Sequence, residues 1–363
     1  MTAQCQIDAP VTRRLFGILS DGRPVEAVRL RNENGVMATI ITYGATLQAL
    51  WAPDRHGQMA DIVLGHDTLE PYEQTPTYFG VTVGRYANRI AGGRFTLDGR
   101  TYQVPCNNPP NNLHGGPMGF DRQLWTVTTI TEGPIPSVTL VLDSPDGDMG
   151  FPGRVQASAT YALDGDNLLS ITYEGAVDRP TILNMTNHAV FDLTGGHSPV
   201  GILNHRLTVP ASHFTPVDGN LIPTGEVRPV ADGPFDFREG QVVAAGLRDG
   251  RDEQIRAGRG YDHNFALDAG LTDTPKLAAR LEEPISGRVL EVTTTEPGLQ
   301  VYTGNFLDGT LIGKQGRLYR MGDGIALEPQ KFPDAPNQPA FISARVTPDH
   351  PYRHVMGFRL LVA

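Results

Sequence analysis

Along this chain, short runs in which apolar and polar or β-branched residues alternate recur from end to end. They include VEAVRLR (25–31), VMATIIT (36–42), LWTVTTI (124–130), SVTLVL (137–142) and RVQASATYAL (154–163). Further runs are NLLSITYEG (167–175), VLEVTTT (289–295) and LQVYTG (299–304). Successive side chains of a strand point to opposite faces, so this period of two predicts strands with one face in a core. Between the runs stand turn formers such as DGR, PDG, DGDN, TGG and EPG, often about 8 to 12 residues apart. Helical periodicity is scarce: GQVVAAGLRDGRDEQIRAG (240–258) predicts a short helix or two, and TLEPYEQ (68–74) a single turn. No linker, composition shift or fixed-period repeat divides the chain. The expectation is all-β: one large β-sandwich domain over residues 1–363, with few short helices.

Composition sharpens this picture. Gly and Pro make up about a fifth of the chain, well above the usual share of about 12%, with 41 and 29 copies spread as punctuation. The formal charge is -10, and no Lys/Arg cluster offers a nucleic-acid footprint. Cys5 and Cys106 are far apart in sequence and in no CxxC arrangement, so neither a disulfide scaffold nor a zinc motif is expected. The N-terminal MTAQCQIDAPVTRRLFG has no apolar run of signal-peptide type, and no stretch of 18 apolar residues occurs. A cytoplasmic protein without membrane contact is expected, as monomer or homodimer.

Five clusters carry candidate chemistry. VGRYANRI (83–90) brings Arg85, Asn88 and Arg89 together, guanidinium forks suited to hydroxyls or carboxylates. NPPNNLHGGPMGF (108–120) is too rich in turn formers for helix or strand, and it sets His114 before Gly115 and Gly116. Those glycines read as backbone cleared so that a ligand can approach the imidazole. In NMTNHAVFDL (184–193) the polar pair Asn187 and His188 interrupts an apolar run and needs partners or a task. GYDHNFAL (260–267) leads with Asp262 and His263, and IALEPQKFPDAPN (325–337) ends an apolar strand on Glu328. Against each stands a bland alternative: a backbone-tied arginine, a satisfied core histidine, a capping aspartate, a solvated glutamate. HExxH, GxSxG, phosphate-loop and dinucleotide motifs are absent. His114, His188 and His263 form no local ligand pair, so no metal or cofactor is expected. What remains is a toolkit for general acid–base catalysis on a hydroxylated substrate.

Taken in order, GRYANRI, NLHGGPMGFD, TNHAVFDLTG, DHNF and EPQKFPDAPN resemble the aldose 1-epimerase (galactose mutarotase) family. YGATLQAL (43–50), DIVLGHDTLEPY (61–72) and PGLQVYTGNF (297–306) extend the resemblance over most of the chain. The resemblance implies a galactose mutarotase-like supersandwich with an open cleft that binds a free aldose. It implies Glu328 as general base and His188 as general acid. It also implies Arg89, Asn88, His114, Asp262 and Gln300 as substrate-binding residues, with Phe306 or Trp125 stacking on a sugar face. Where the family more often has Ser-Tyr after the histidine and Asn after the Phe, this chain has Ala189, Val190 and Asp192, which leaves the preferred sugar open.

Two alternatives belong to other classes: a sugar-binding relative without turnover, and an epimerase acting on a modified sugar. A phosphorylated aldose would call for extra cations near the cleft, for which Arg85 and Lys331 are the candidates. A glycoside hydrolase would use paired carboxylates, which Asp262 with Glu328 could imitate.

Overall fold

The structure is a computed structural model that describes residues 9–363, so Cys5 and the first eight residues of the N-terminal segment considered above lie outside the described residues. Alternation becomes strand where it was expected. Val155–Leu163 buries Val155, Ala157, Ala159, Tyr161 and Leu163 completely and turns Gln156 and its alternates outward. A one-residue slip would exchange the two faces, so burial fixes the register. This strand lies inside a nine-stranded antiparallel sheet that also contains Ser137–Ser144, Leu168–Val177, Arg288–Thr294 and Tyr352–Val362. An antiparallel five-stranded sheet runs in simple chain order from Val11–Ile18 to Met59–Asp61.

A six-stranded sheet carries the chemistry. Its order places Val190–Phe191, Ile325–Gln330, Gly298–Tyr302 and Asp262–Ala266 side by side, all antiparallel. One continuous cluster of buried apolar side chains reaches from Val11 to Leu360 and joins residues of all three large sheets. Helices are the short ones expected: Glu70–Gln74, Ala244–Leu247 and Glu253–Gly258. No helix among the described residues is long and apolar enough to cross a membrane.

Two local expectations change. The segment 108–120 does pair: Asn112–Leu113 bridges to Arg89–Ile90, and Phe120 opens a turn of 3-10 helix. The apolar run around His188 is no single strand but two bridges, Thr186–Asn187 and Val190–Phe191, with His188 in the gap between them. Trp125 is a core residue: its indole N–H donates to the Phe120 carbonyl and its ring packs edge-on against Phe120, out of reach of any ligand.

Candidate active site

Three consecutive strands build the floor of the site. Their register sets Gln300 opposite Glu328, and Tyr302 opposite Asp262. Alternation sends His263, Val301 and Leu327 to the opposite, core side, where all three are fully buried. His263 there accepts from the Asp262 N–H, meets Gln254 and packs against Phe214 and Phe235. It is a core histidine, not part of the site.

A cavity of about 500 Å³ opens above the floor. Asn88, Arg89, His114, His188, Asp262 and Glu328 all line it, so segments far apart in sequence converge. Gln300 does not reach the cavity. It stands behind Asp262 and donates to the carboxylate at 2.6 Å, while Arg89 faces the other oxygen at 3.8 Å. Gln300 thus holds the Asp262 carboxylate, while its own side-chain oxygen is buried without a protein partner.

His188 Nε2 lies 3.7 Å from a carboxylate oxygen of Glu328, and both residues are buried. Burial disfavours the charged form of each. It pushes the Glu328 carboxyl well above its ordinary value, helped by the Asp262 charge and opposed by Arg89. It pulls the His188 imidazole down to about 4. Both shifts run the same way for the pair: they favour a protonated carboxyl beside an uncharged imidazole over two charged groups. The second oxygen of Glu328 and Nδ1 of His188 are buried without protein partners.

His114 is held differently. Its N–H donates to the Asn88 carbonyl, and its Nδ1 accepts from the Asn88 N–H at 3.1 Å. Burial, His188 and Arg89 hold its pKa well below the ordinary value, so the ring is neutral. A neutral imidazole has one lone pair, and Asn88 uses it, so Nε2 carries the hydrogen. His114 is thus fixed as a donor. In space, ligand atoms of His114, His188 and Glu328 lie within 4.8 Å of one another, a closeness invisible in the sequence spacing. The tautomer leaves His114 no lone pair for a cation, so the trio suits proton handling.

The glycines after His114 have a different reason from the one expected. Gly115 and Gly116 have φ of +89° and +106°, and neither lines the cavity. A Cβ on Gly115 would overlap the Gly84 carbonyl. Gly115 lets two backbones touch behind the histidine; it does not clear a path to it. Asn187 is likewise structural, donating to the Gly80 carbonyl and to Tyr161. Arg85 spends all five N–H donors on Ser144, Pro145, Pro152 and Gly153, and Lys331 is locked on Glu296. Neither is free for a phosphate. Asp192 caps its own turn through Thr194 and Gly196, and of the altered residues Val190 alone lines the cavity.

Tyr78 and Tyr302 were not singled out from the sequence. Tyr78, at a φ of +57°, lays its ring 4.7 Å from His114 and 5.8 Å from His188. Tyr302 lies 6.5 Å from His188 and stacks outward on Phe306, which is 47% exposed at the cavity wall. The position of Tyr302, two residues after Gln300 in an alternating run, was the available signal; Tyr78 sits in a loop without one.

A large antiparallel sandwich with a buried imidazole–carboxyl pair at the foot of a cavity defines a class, the galactose mutarotase-like β-sandwich proteins. The chain belongs to the aldose 1-epimerase family, whose model matches residues 26–359. Galactose mutarotase of Mus musculus is 45% identical over 354 residues, covering 97% of this chain and 99% of the relative. Aldose 1-epimerase of Escherichia coli is 40% identical over 319 residues, covering 88% and 90%. Among solved structures, an aldose epimerase homologue from C. elegans shares 32% identity at a TM-score of 0.84, covering 93% of this chain and 99% of its own. Galactose 1-epimerase from Lactobacillus acidophilus has a TM-score of 0.85 at 26% identity, covering 98% and 100%.

Proposed function

We propose that the chain, as a single domain over residues 1–363, is an aldose 1-epimerase that interconverts the α and β anomers of free aldoses. The observation that carries this reading is the buried His188–Glu328 pair, 3.7 Å apart at the cavity floor. Anomer exchange needs a proton taken from the anomeric hydroxyl and one given to the ring oxygen. In the ion-paired form, Glu328 accepts the hydroxyl proton while His188 protonates the ring oxygen. The bond between anomeric carbon and ring oxygen breaks, leaving a free aldehyde and a chain hydroxyl. The pair now reads carboxylic acid and neutral imidazole, the form that burial favours. The carbonyl end rotates, the chain hydroxyl attacks its other face, and both protons return. Nothing is consumed. His114 Nε2–H, Arg89 and Asn88 serve as hydrogen-bond donors to ring hydroxyls, and Asp262 as an acceptor held by Gln300 and Arg89.

The test is polarimetry. Crystalline α-D-glucose, α-D-galactose, α-D-xylose and α-L-arabinose are dissolved separately with and without protein, with Glu328→Gln as control. Faster relaxation to the same final rotation, lost in the variant, supports the reading. Sugar binding by calorimetry with no acceleration for any of them would leave a binding protein instead.

A further inference from the structure

The cavity is larger than one sugar ring. A hexose, with a dozen non-hydrogen atoms, needs roughly 200 Å³ at protein packing density, against about 500 Å³ here. The floor accounts for the reacting end, so the surplus lies outward, along the stack that leads from His188 through Tyr302 and Phe306. At the end of that stack the Arg259 guanidinium sits 5.5 Å over the Phe306 ring, and Arg259 lines the cavity.

Two features set Arg259 apart. It closes helix Glu253–Gly258 at a φ of +55°, a left-handed position that favours glycine, yet an arginine stands there between Gly258 and Gly260. Its guanidinium also makes no ion pair or hydrogen bond among the described residues. On this acidic surface other exposed arginines, such as Arg154, Arg228, Arg238 and Arg345, each hold a carboxylate. Among the other charged groups of the cavity, Arg89 faces Asp262 and His188 faces Glu328. Arg259 is left as a lone cation over the Phe306 ring at the cavity wall.

Building on the epimerase reading, we propose that Arg259 and Phe306 form an outer subsite for an anionic group on the distal carbon of the aldose. The substrates so selected are acidic aldoses, bearing a carboxylate or a phosphate at the end of the chain away from the anomeric carbon. A guanidinium fork suits either group, and D-glucuronate and D-glucose 6-phosphate tell the two apart.

The experiment is NMR saturation transfer between anomers of D-glucose, D-glucuronate and D-glucose 6-phosphate, with wild type and Arg259→Gly. The backbone conformation at 259 favours glycine, which protects the fold of the variant. In the wild type, at least one acidic aldose is exchanged with a lower KM than glucose, and added salt raises that KM. In Arg259→Gly the ratio of acidic to neutral kcat/KM falls about tenfold, the loss of one charge-assisted hydrogen bond. Exchange of glucose with neither acidic aldose accepted, or an unchanged ratio in the variant, overturns this inference alone. Failure on all three sugars overturns this inference, and the epimerase reading falls with it only if the four-sugar polarimetry also shows no acceleration.

Discussion

Tyr78→Ala tests whether burial sets the working pH of the site. The His188 imidazole is drawn from 6.5 to about 4, and burial is the first cause. At 1.36 kcal/mol per pH unit, that corresponds to roughly 3 kcal/mol of disfavoured charge. Three rings wall the imidazole: Tyr78 at 5.8 Å, His114 at 5.3 Å and Tyr302 at 6.5 Å. Removing one of three and admitting water should return about a third of this, roughly 1 kcal/mol, or about one pH unit. The direction follows from the sign of the shift. An imidazole held low stays uncharged until the pH falls through its lowered value, and below that the pair carries a second proton and stops working. Tyr78→Ala therefore loses activity at higher pH than the wild type, with the acid limb of kcat/KM moved up by about one unit. Tyr78→Phe keeps the wall and should keep the wild-type limb. The assay is polarimetric relaxation of α-D-glucose from pH 4 to 8, corrected for the spontaneous rate at each pH. A variant that loses rate uniformly, with its acid limb unmoved, would refute the argument and leave Tyr78 a packing residue.

Glu328→Gln removes the proton acceptor while keeping the shape, so kcat should fall by about 10²–10⁴-fold with sugar binding retained in calorimetry. Of the two histidines, His188→Asn should lose turnover most, whereas His114→Asn should chiefly raise KM; the reverse order in initial-rate kinetics would exchange their roles. Gly115→Ala forces a Cβ into the Gly84 carbonyl at a left-handed φ, costing about 2 kcal/mol or more, read as a lowered denaturant midpoint. Arg85→Met strands the four carbonyls that the guanidinium holds and should destabilise by about 3 kcal/mol in urea unfolding, with KM little changed in the surviving folded fraction.

The β-rich architecture was legible because alternation and burial are the same fact: Val155–Leu163 reads as a strand, and it is one. The floor was legible for a related reason. Glu328, Asp262 and His188 are polar residues set into apolar runs, and such residues need partners. What the sequence could not convey is direction. Asp262 and His263 are neighbours, and only the register sends one into the cavity and the other into the core. Gln300 has the right face but sits behind Asp262. The glycines after His114 answer to a backbone contact with Gly84, a residue 31 positions away. For Arg85 the backbone-tied alternative holds, and its five backbone and hydroxyl acceptors leave no trace in a sequence pattern. Nothing local in the sequence reveals that Phe306 lies beneath Arg259.

The division between a floor made of paired strands and a rim made of loops has a consequence for how such a protein can be altered. Gln300 is fastened by ladder pairing on both flanks, to Asn264 and Glu328, and Asp262 by pairing with Tyr302, so any shift there would carry core residues with it. The rim, by contrast, draws on segments 75–78 and 219–221 and on Arg259 and Phe306, none of which belongs to those strands. Mutational drift can therefore rewrite which sugar is admitted without disturbing how the proton is moved. Libraries aimed at new sugar preferences belong on the rim, where most variants should still fold and still turn over the old substrate while they acquire a new one.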